Sequence, residues 1–166
     1  EIINIAKCAR EASGFLLNLP SAAKNEVLRD MAHALERAKD AILAANKKDI
    51  KKALRLKLKP AFIDRLSLSE QRIKEMSGSL LAIVGLEDPV GRIIKEWDRP
   101  NNLKIRKVRV PIGVIAIIYE SRPNVAAECI GLCFKSGNSV ILRGGSEALA
   151  SSISIYEALK PVLKKH

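Results

Sequence analysis

Two short polar stretches interrupt the apolar second half of this sequence, and the residue types in them could bind an anion. The stretch at 120–124 reads Glu-Ser-Arg-Pro-Asn, and the stretch at 143–146 reads Arg-Gly-Gly-Ser. An arginine guanidinium can hold phosphate or ribose oxygens through paired N–H donors, and the N-terminus of a helix also attracts anions. Both stretches are therefore candidate ligand-binding loops.

The second stretch contains four candidate cofactor-binding residues, Arg143, Gly144, Gly145 and Ser146. The arginine would leave a strand into a crevice, and the glycines would let the backbone approach a ligand closely. Ser146 and the first N–H groups of the following helix would face the same place. From spacing alone, the alternative is a tight turn with a solvent-facing arginine. The usual dinucleotide fingerprint, Gly-x-Gly-x-x-Gly, is absent.

The first stretch contains a candidate oxyanion-stabilising amide, Asn124, and two candidate substrate-binding residues, Ser121 and Arg122. An amide beside a helix N-terminus can stabilise negative charge that develops on an oxygen. The alternative is that this stretch only starts a helix and that Arg122 lies on the surface.

The elements around these stretches follow a β-α-β-α order. The apolar run 114–119 predicts a strand that is buried on both faces. Pro123 suits the first position of a helix over 124–136, and Gly137 suits its left-handed cap. A second buried strand is predicted at 139–142.

A last helix is predicted through Leu159, with Ser146 as its cap, and Pro161 is expected to kink or end it. Two parallel strands joined by a helix place their carboxyl ends on the same rim of an α/β sheet, where ligands bind. The two polar stretches should therefore lie close together.

The first half of the chain, residues 1–85, reads as helices. Apolar residues recur with the spacing of one helical face in two groups: Ile5, Ala9, Ala12 and Leu16, then Leu28, Met31, Ala32 and Leu35. The second helix is expected to continue, with or without a break, through Leu43. Ser67 and Glu70 fit a capping box before a helix that ends near Gly85. Residues 92–97 and 103–110 read as a hairpin with its turn at 100–102.

The composition is typical of one globular domain that does not cross a membrane. Hydrophobic residues make up 48% and charged residues 28%, and no apolar run reaches the roughly 20 residues that span a bilayer. No signal-peptide pattern is present, so the expected compartment is the cytoplasm. Cys129 and Cys133 would share one helix face as small buried residues, and the distance of the two histidines along the chain argues against a metal site.

The net charge is +11, and residues 1–110 hold +9 of it. Such an excess could attract nucleic acid or phosphate-bearing ligands. The lysines are mixed with acidic residues, however, and aromatic residues make up only 4%. A solvated helix face is therefore the favoured interpretation, and nucleic-acid binding is not expected.

Several strings resemble the gamma-glutamyl phosphate reductases, also called glutamate-5-semialdehyde dehydrogenases, of the aldehyde dehydrogenase superfamily. The most specific are Tyr-Glu-Ser-Arg-Pro-Asn at 119–124 and Leu-Arg-Gly-Gly at 142–145; others lie at 43–49, 64–68, 88–91, 110–115 and 135–138. The resemblance runs nearly end to end and corresponds to roughly the first two fifths of such an enzyme. It implies an α/β fold in which N-terminal helices (1–85) and a β-hairpin (90–110) precede the first βαβα unit (111–166) of a Rossmann-like parallel sheet. This would be a partial NADP-binding domain without the catalytic domain.

The resemblance also implies an activity, the NADPH-dependent reduction of γ-glutamyl phosphate to glutamate 5-semialdehyde in proline biosynthesis. Arg143 stands where many aldehyde dehydrogenases have a lysine at the adenosine ribose, and Ser146 stands where many have a glutamate that would repel a 2′-phosphate. This favours NADP over NAD. Asn124 matches the oxyanion amide of the superfamily. The family's nucleophilic cysteine lies beyond the matching region, so the chain alone is expected to be inactive.

The implied partners are the small-molecule substrate, glutamate 5-kinase and further copies of the complete enzyme, with no membrane. Two alternatives stay open. One is another member of the aldehyde dehydrogenase superfamily, and the other is a non-catalytic binding or assembly module that uses its basic helices.

Overall fold

The computed structural model describes all 166 residues and arranges them as seven α-helices and four strands. The first half holds α1 (Ile2–Leu17), α2 (Ser21–Arg37), α3 (Lys39–Arg55), α4 (Pro60–Leu66) and α5 (Glu70–Val84). The second half holds β1 (Ile93–Asp98), β2 (Lys104–Val108), β3 (Val114–Ile118), α6 (Asn124–Lys135), β4 (Ser139–Arg143) and α7 (Leu149–Lys165), with a 3-10 turn at Ser146–Ala148. The predicted order of helices, hairpin and β-α-β-α unit is confirmed. The short helix α4 was not predicted, because seven residues are too few to display a period.

The main core lies between the apolar faces of α2, α5, α6 and α7. The predicted α2 stripe is confirmed, since Leu28, Met31, Ala32 and Leu35 are fully buried. Burying each large apolar side chain stabilises the fold by about 1.5–3 kcal/mol. The helix expected to continue through Leu43 breaks between α2 and α3.

Helix α6 approaches α5 closely because Gly131 carries no side chain. A Cβ atom at this position would lie 2.6 Å from Leu80 Cδ2 and 3.0 Å from Ile83 Cδ1. Both are buried core atoms, so a larger residue would separate the two helices.

The parallel sheet consists of β3 and β4, with Val114 opposite Ser139 and Ile118 opposite Arg143. Helix α1 packs against it, and Ser139 Oγ donates to the Ala9 carbonyl over 2.7 Å. The predicted burial of β3 on both faces is wrong at its carboxyl end, where Ile118 is 85% exposed. Ala116, two residues earlier and therefore on the same face, is also exposed, so this face of the strand is left uncovered there.

The turn that leads into β4 is confirmed as predicted. Gly137 has φ of +73°, the left-handed conformation that suits glycine. The next residue, Asn138, accepts the Gly113 N–H through Oδ1 over 2.8 Å. This bond aligns the beginnings of the two parallel strands.

Two prolines depart from their predicted positions. Pro123 is the N-cap of α6 and not its first helical residue, a shift of one position. Pro161 lies inside α7, which continues to Lys165 and does not end there. The helix loses the hydrogen bond that Pro161 cannot donate, and of the two predicted effects, a kink or an end, the end is wrong.

The predicted capping box at Ser67 is wrong. Helix α5 is capped by Ser69, whose hydroxyl accepts the Arg72 N–H over 3.1 Å. Ser67 instead donates from Oγ to the Ile63 carbonyl over 2.7 Å and ends α4. Only Ser67 has the acidic residue three positions later that a capping box needs, but the unforeseen α4 ends at Leu66 and α5 begins only at Glu70.

The N-terminus of α7 is capped by Asp49 of α3, and the predicted cap by Ser146 is wrong. The buried Asp49 carboxylate accepts the Ala150 N–H over 3.2 Å, the Ser151 N–H over 2.7 Å and the Ser151 hydroxyl over 2.6 Å. Ser146 lies in the preceding 3-10 turn and caps nothing. The capping carboxylate therefore comes from about a hundred residues earlier in the chain, on α3.

Asn46, one turn before Asp49 on α3, completes this buried network. Its Nδ2 donates to the Leu66 carbonyl over 2.8 Å and to Ser151 Oγ over 3.0 Å, while its Oδ1 accepts the Leu68 N–H over 2.8 Å. Both α3 side chains are thus fully engaged, as buried polar groups require.

Two buried lysines make contacts between elements: Lys24 joins α2 to the segment that leads into the hairpin, and Lys135 joins α6 to α2 and α5. Lys24 Nζ lies 2.8 Å from Asp88 Oδ2, and Asp88 Oδ1 accepts the Val90 N–H over 3.0 Å. Lys135 Nζ donates to Asn25 Oδ1 over 2.6 Å and to a backbone carbonyl over 3.1 Å. Burial lowers the pKa of Lys135 below the usual lysine value.

The predicted hairpin is confirmed. β1 and β2 pair antiparallel, with Trp97 opposite Ile105. The Arg99 N–H donates to the Leu103 carbonyl over 3.0 Å, and Asn102 takes the left-handed conformation at φ of +63°. Most of the side chains on both faces of this ribbon are exposed.

None of the seven helices has both the length and the apolar character of a membrane-spanning segment.

The Asp49 network predicts a large loss of stability in the variant Asp49→Ala. The substitution removes the α7 cap and leaves the Ser151 donors unpaired in the interior, so the free energy of unfolding should fall by about 2–4 kcal/mol. Urea unfolding followed by circular dichroism would measure it. The control is Asp40→Ala, which changes an exposed carboxylate on the same helix and should have little effect. Equal losses in the two variants would contradict the capping role.

Candidate functional site

The carboxyl ends of β3 and β4 bring the two predicted polar stretches together. The Tyr119 N–H donates to the Arg143 carbonyl over 3.1 Å. A few residues further on, Ser121 Oγ donates to Glu147 Oε2 over 2.9 Å. The residues at 119–121 and 143–147 therefore form one rim, as the parallel order of the strands predicts. We call this surface the strand-end rim.

Arg143 presents an exposed guanidinium on the strand-end rim. Its Nη1 donates to the neighbouring Gly144 carbonyl over 2.7 Å. None of the ion pairs in the structure includes Arg143 or Arg122. Ser146 is also exposed. Both guanidinium groups are thus available to an anionic ligand.

Internal packing also favours glycine at Gly144 and Gly145, in addition to the close approach to a ligand that the sequence predicts. A Cβ atom at Gly144 would lie 2.9 Å from the Tyr119 ring. A Cβ atom at Gly145 would lie 2.7 Å from Glu147 Oε2 and would press still closer on Ser121 Oγ. Neighbouring side chains fill the space that larger residues would need at these two positions. The glycines therefore allow the two loops of the strand-end rim to pack against each other.

The helix N-terminus beside this rim differs from the predicted anion site. The Ala150 and Ser151 N–H groups of α7 both donate to the Asp49 carboxylate. The positive end of this helix is therefore already neutralised by an acidic side chain of the protein. Of the groups predicted to bind an anion at this rim, the side chains of Arg143 and Ser146 are exposed.

Glu147, one residue after the predicted cofactor-binding Ser146, is held inside the rim. Its pKa is lowered by hydrogen bonds from its own backbone N–H and from the Ser121 hydroxyl, with a smaller contribution from the charge of Lys52. Ser121 itself is only 5% exposed. The hydroxyl predicted to bind substrate is thus used to hold a neighbouring carboxylate.

Arg122 and Asn124 face a second surface, a cleft of about 450 Å³ between the β3–α6 loop and the start of α5. Asn124 Nδ2 donates to Glu128 Oε1 over 3.2 Å. The other side of the cleft carries Arg65 and Arg72, and Arg72 Nη2 pairs with a carboxylate on α4 over 3.3 Å. This cleft combines three guanidinium groups with three carboxylates.

The cysteines match their predicted role where the structure tests it. Cys133 is buried and Cys129 is half-buried on α6, and burial is the main cause that raises the pKa of each thiol. A raised pKa disfavours the thiolate that a nucleophile needs. Cys8 on α1 is exposed. No three His, Cys, Asp or Glu side chains lie where they could hold a metal ion together.

Two residues that support the site were missed, Asp49 and Lys24, and the hydrogen bond that holds Glu147 was missed as well. Asp49 lies three residues after Asn46, a spacing that puts two polar side chains on one helix face and could have indicated a buried pair. No comparable local signal marks Glu147 or Lys24, since their partners Ser121 and Asp88 are distant in the sequence.

Comparisons with known proteins reveal close relatives, although no protein-family model matches the sequence. The chain is 48% identical over 163 residues to the gamma-glutamyl phosphate reductase of Thermodesulfovibrio yellowstonii. It is 53% identical over 154 residues to that of Caldanaerobacter subterraneus subsp. tengcongensis. These alignments cover 98% and 93% of this chain but 39% and 37% of the relatives. The chain therefore spans about two fifths of their length.

Solved structures are similar over the same extent. The crystal structure of gamma-glutamyl phosphate reductase from Thermotoga maritima has a TM-score of 0.97 and 44% identity, covering 99% of this chain and 40% of that one. The enzyme from Saccharomyces cerevisiae has a TM-score of 0.93 and 31% identity, covering 98% and 41%. A probable aldehyde dehydrogenase from Listeria monocytogenes shares the fold, with a TM-score of 0.72 at 16% identity over 99% of this chain and 34% of that one. The predicted truncated aldehyde dehydrogenase-like fold is confirmed.

The burial of the thiols predicts an order of reactivity toward a disulfide reagent at neutral pH. Cys8 should react first, and Cys133 should react last, because it is buried and its pKa is raised. The reagent releases a coloured thiolate as it reacts. Its absorbance, followed over time, should show a fast phase for Cys8 and slow phases for the thiols on α6.

The variant Cys8→Ala should remove the fast phase and leave the slow phases unchanged. Fast labelling of Cys133 in the folded protein would contradict its packing role.

Proposed function

We propose that this chain, a homologue of part of gamma-glutamyl phosphate reductase, forms the N-terminal part of the NADP-binding domain of such an enzyme. The observation that carries the proposal is the exposed, unpaired guanidinium of Arg143 at the carboxyl end of a parallel strand, in a chain 48% identical to these reductases. Residues 1–166 then provide one wall of a cofactor cleft.

The proposed reaction is the reduction of γ-glutamyl phosphate to glutamate 5-semialdehyde, with release of phosphate. NADPH would supply the hydride. The contribution of this chain is binding: Arg143 and Ser146 would hold the adenosine end of the cofactor, and Asn124 would donate from its amide to the substrate oxygen. The nucleophilic cysteine is not among the three thiols of this chain, since two are shielded and the third lies on α1.

The preference for NADPH is supported by charge. A guanidinium without a carboxylate partner can hold the 2′-phosphate through paired hydrogen bonds. Because Asp49 already occupies the α7 N-terminus, Arg143 is the main source of positive charge at this rim. The charge at this rim therefore favours the adenosine ribose of NADPH, which carries a 2′-phosphate, over that of NADH, which does not.

Arg122 is proposed to bind the substrate, because it lies beside Asn124 on the charged cleft. γ-Glutamyl phosphate carries carboxylate, ammonium and phosphate groups, which the arginines and acidic residues of the cleft match in sign. Ser121 is buried and its hydroxyl is bonded to Glu147 at the strand-end rim, so a direct contact of Ser121 with the substrate is not proposed.

The proposed setting is the cytoplasm, because all three cysteines are free thiols. Glutamate 5-kinase is the proposed supplier of the labile acyl phosphate. Assembly into a homo-oligomer is supported by the hairpin, whose apolar residues Ile93, Ile94 and Leu103 are about half exposed.

The activity is testable in the reverse direction with the full-length product of the gene that encodes this chain. Glutamate 5-semialdehyde, phosphate and NADP⁺ should yield absorbance at the wavelength of NADPH, and omission of phosphate should abolish it. Reduction of NADP⁺ without phosphate would indicate a different member of the superfamily.

Replacement of Arg143 tests its cofactor role. In the full-length protein, Arg143→Ala should weaken NADPH binding by about tenfold to a hundredfold, as loss of a charge-assisted hydrogen-bonded pair predicts. NADH binding should change much less, because NADH lacks the 2′-phosphate. Fluorescence titration with each nucleotide measures both dissociation constants.

The control is Arg37→Ala, which removes an exposed arginine from the end of α2. Equal weakening of NADPH and NADH binding in Arg143→Ala would contradict the 2′-phosphate role.

A further inference from the structure

The bond between Ser121 and Glu147 joins the two loops of the strand-end rim. Glu147 is the only carboxylate between Arg143 and the start of α7. Its Oε2 accepts a hydrogen bond from the Ser121 hydroxyl over 2.9 Å. This bond connects the loop after β3 to the turn after β4. Its position along the chain, four residues after Arg143, would otherwise let it reach the same ligand as the arginine.

A carboxylate free at this rim would oppose a 2′-phosphate in two ways. It would repel the phosphate directly, and it would compete for the guanidinium of Arg143. In the structure Glu147 does neither, since Arg143 makes no ion pair and Glu147 is held on the β3–α6 loop by Ser121. The other carboxylate of the rim, Glu120, lies 3.8 Å from Arg65 Nη1. The position of one hydroxyl therefore separates the two charges.

The surroundings are shaped for this contact. Ser121 is almost completely buried, so its hydroxyl has little access to water as an alternative partner. Gly145 leaves the space that the contact needs, because a methyl group there would press on both Ser121 Oγ and Glu147 Oε2. The charge of Lys52 on α3 also favours the carboxylate in this place.

We propose that Ser121 is a positioning residue for cofactor choice: by binding Glu147 it keeps this carboxylate away from the 2′-phosphate of NADPH. The inference rests on the proposed cofactor role of Arg143. It assigns to Ser121 a function in selecting the cofactor and to Glu147 the opposing charge that must be restrained.

The test measures dissociation constants for NADPH and NADH in the full-length protein and compares their ratio among variants. Ser121→Ala should reduce the preference for NADPH by roughly three- to tenfold, the effect of one like charge several ångströms away in a partly solvated site. The double variant Ser121→Ala with Glu147→Gln should restore the preference, because the released side chain no longer carries charge.

The matched control is Ser77→Ala. Ser77 is also a buried serine whose hydroxyl donates to a glutamate, Glu36 Oε1, over 2.8 Å, but it lies on α5 in the helical half. This variant loses the same kind of bond and should keep the wild-type nucleotide ratio, even where stability falls. The comparison separates cofactor choice from a general effect on folding.

Two results would overturn the inference while leaving the proposed function in place. One is a wild-type preference for NADPH that Ser121→Ala does not change, and the other is a changed ratio that Glu147→Gln does not restore. A wild-type protein without preference for NADPH would overturn the proposed cofactor role, and this inference with it.

Discussion

The contact on which the rest of this structure depends is the one between the Asp49 carboxylate on α3 and the first turn of α7. It joins the helical half of the chain to the β-α-β-α half, and it places the turn that follows β4. Burial of a carboxylate is tolerated because three donors satisfy it. The adjacent Asn46 ties the same place to the α4–α5 connection. Asn46 and Asp49 both belong to the string at 43–49, which resembles the reductases. Their buried hydrogen bonds give a structural reason for part of that string.

This arrangement determines what chemistry the strand-end rim can perform. With the α7 N-terminus neutralised, ligand charge must be met by side chains, and Arg143 is the exposed cation in place to do so. The glycines beside it serve internal contacts with Tyr119 and Ser121. The rim is thus a set of restrained side chains, in contrast to the backbone cradle that a glycine-rich loop would form.

Features that depend on local sequence could be predicted, and features that depend on distant partners could not. The α2 stripe through Leu28 and Met31 follows from helical periodicity, and the left-handed Gly137 follows from its lack of a side chain. The cap of α7 was assigned wrongly to Ser146 because the sequence gives no sign that α3 lies alongside. The burial of β3 was overestimated. The apolar run that ends at Ile118 has the same composition whether both faces of the strand are covered or only one. At the site, the shared rim followed from strand order, whereas the restraint on Glu147 depends on a partner 26 positions away.

The Asp49 contact also imposes an order of assembly. Ser151 lies 102 residues after Asp49, so most of the chain must be made before the two can meet. Until then Asp49 lacks its buried partners, whereas Asn46 can already bond to Leu66 and Leu68, so the Asp49 carboxylate must stay hydrated. The helical half consequently cannot reach its final packing during synthesis of its own residues alone. Closing a loop of this length is slow compared with forming local helices. The docking of α7 is therefore a late event in folding, and it completes both halves together.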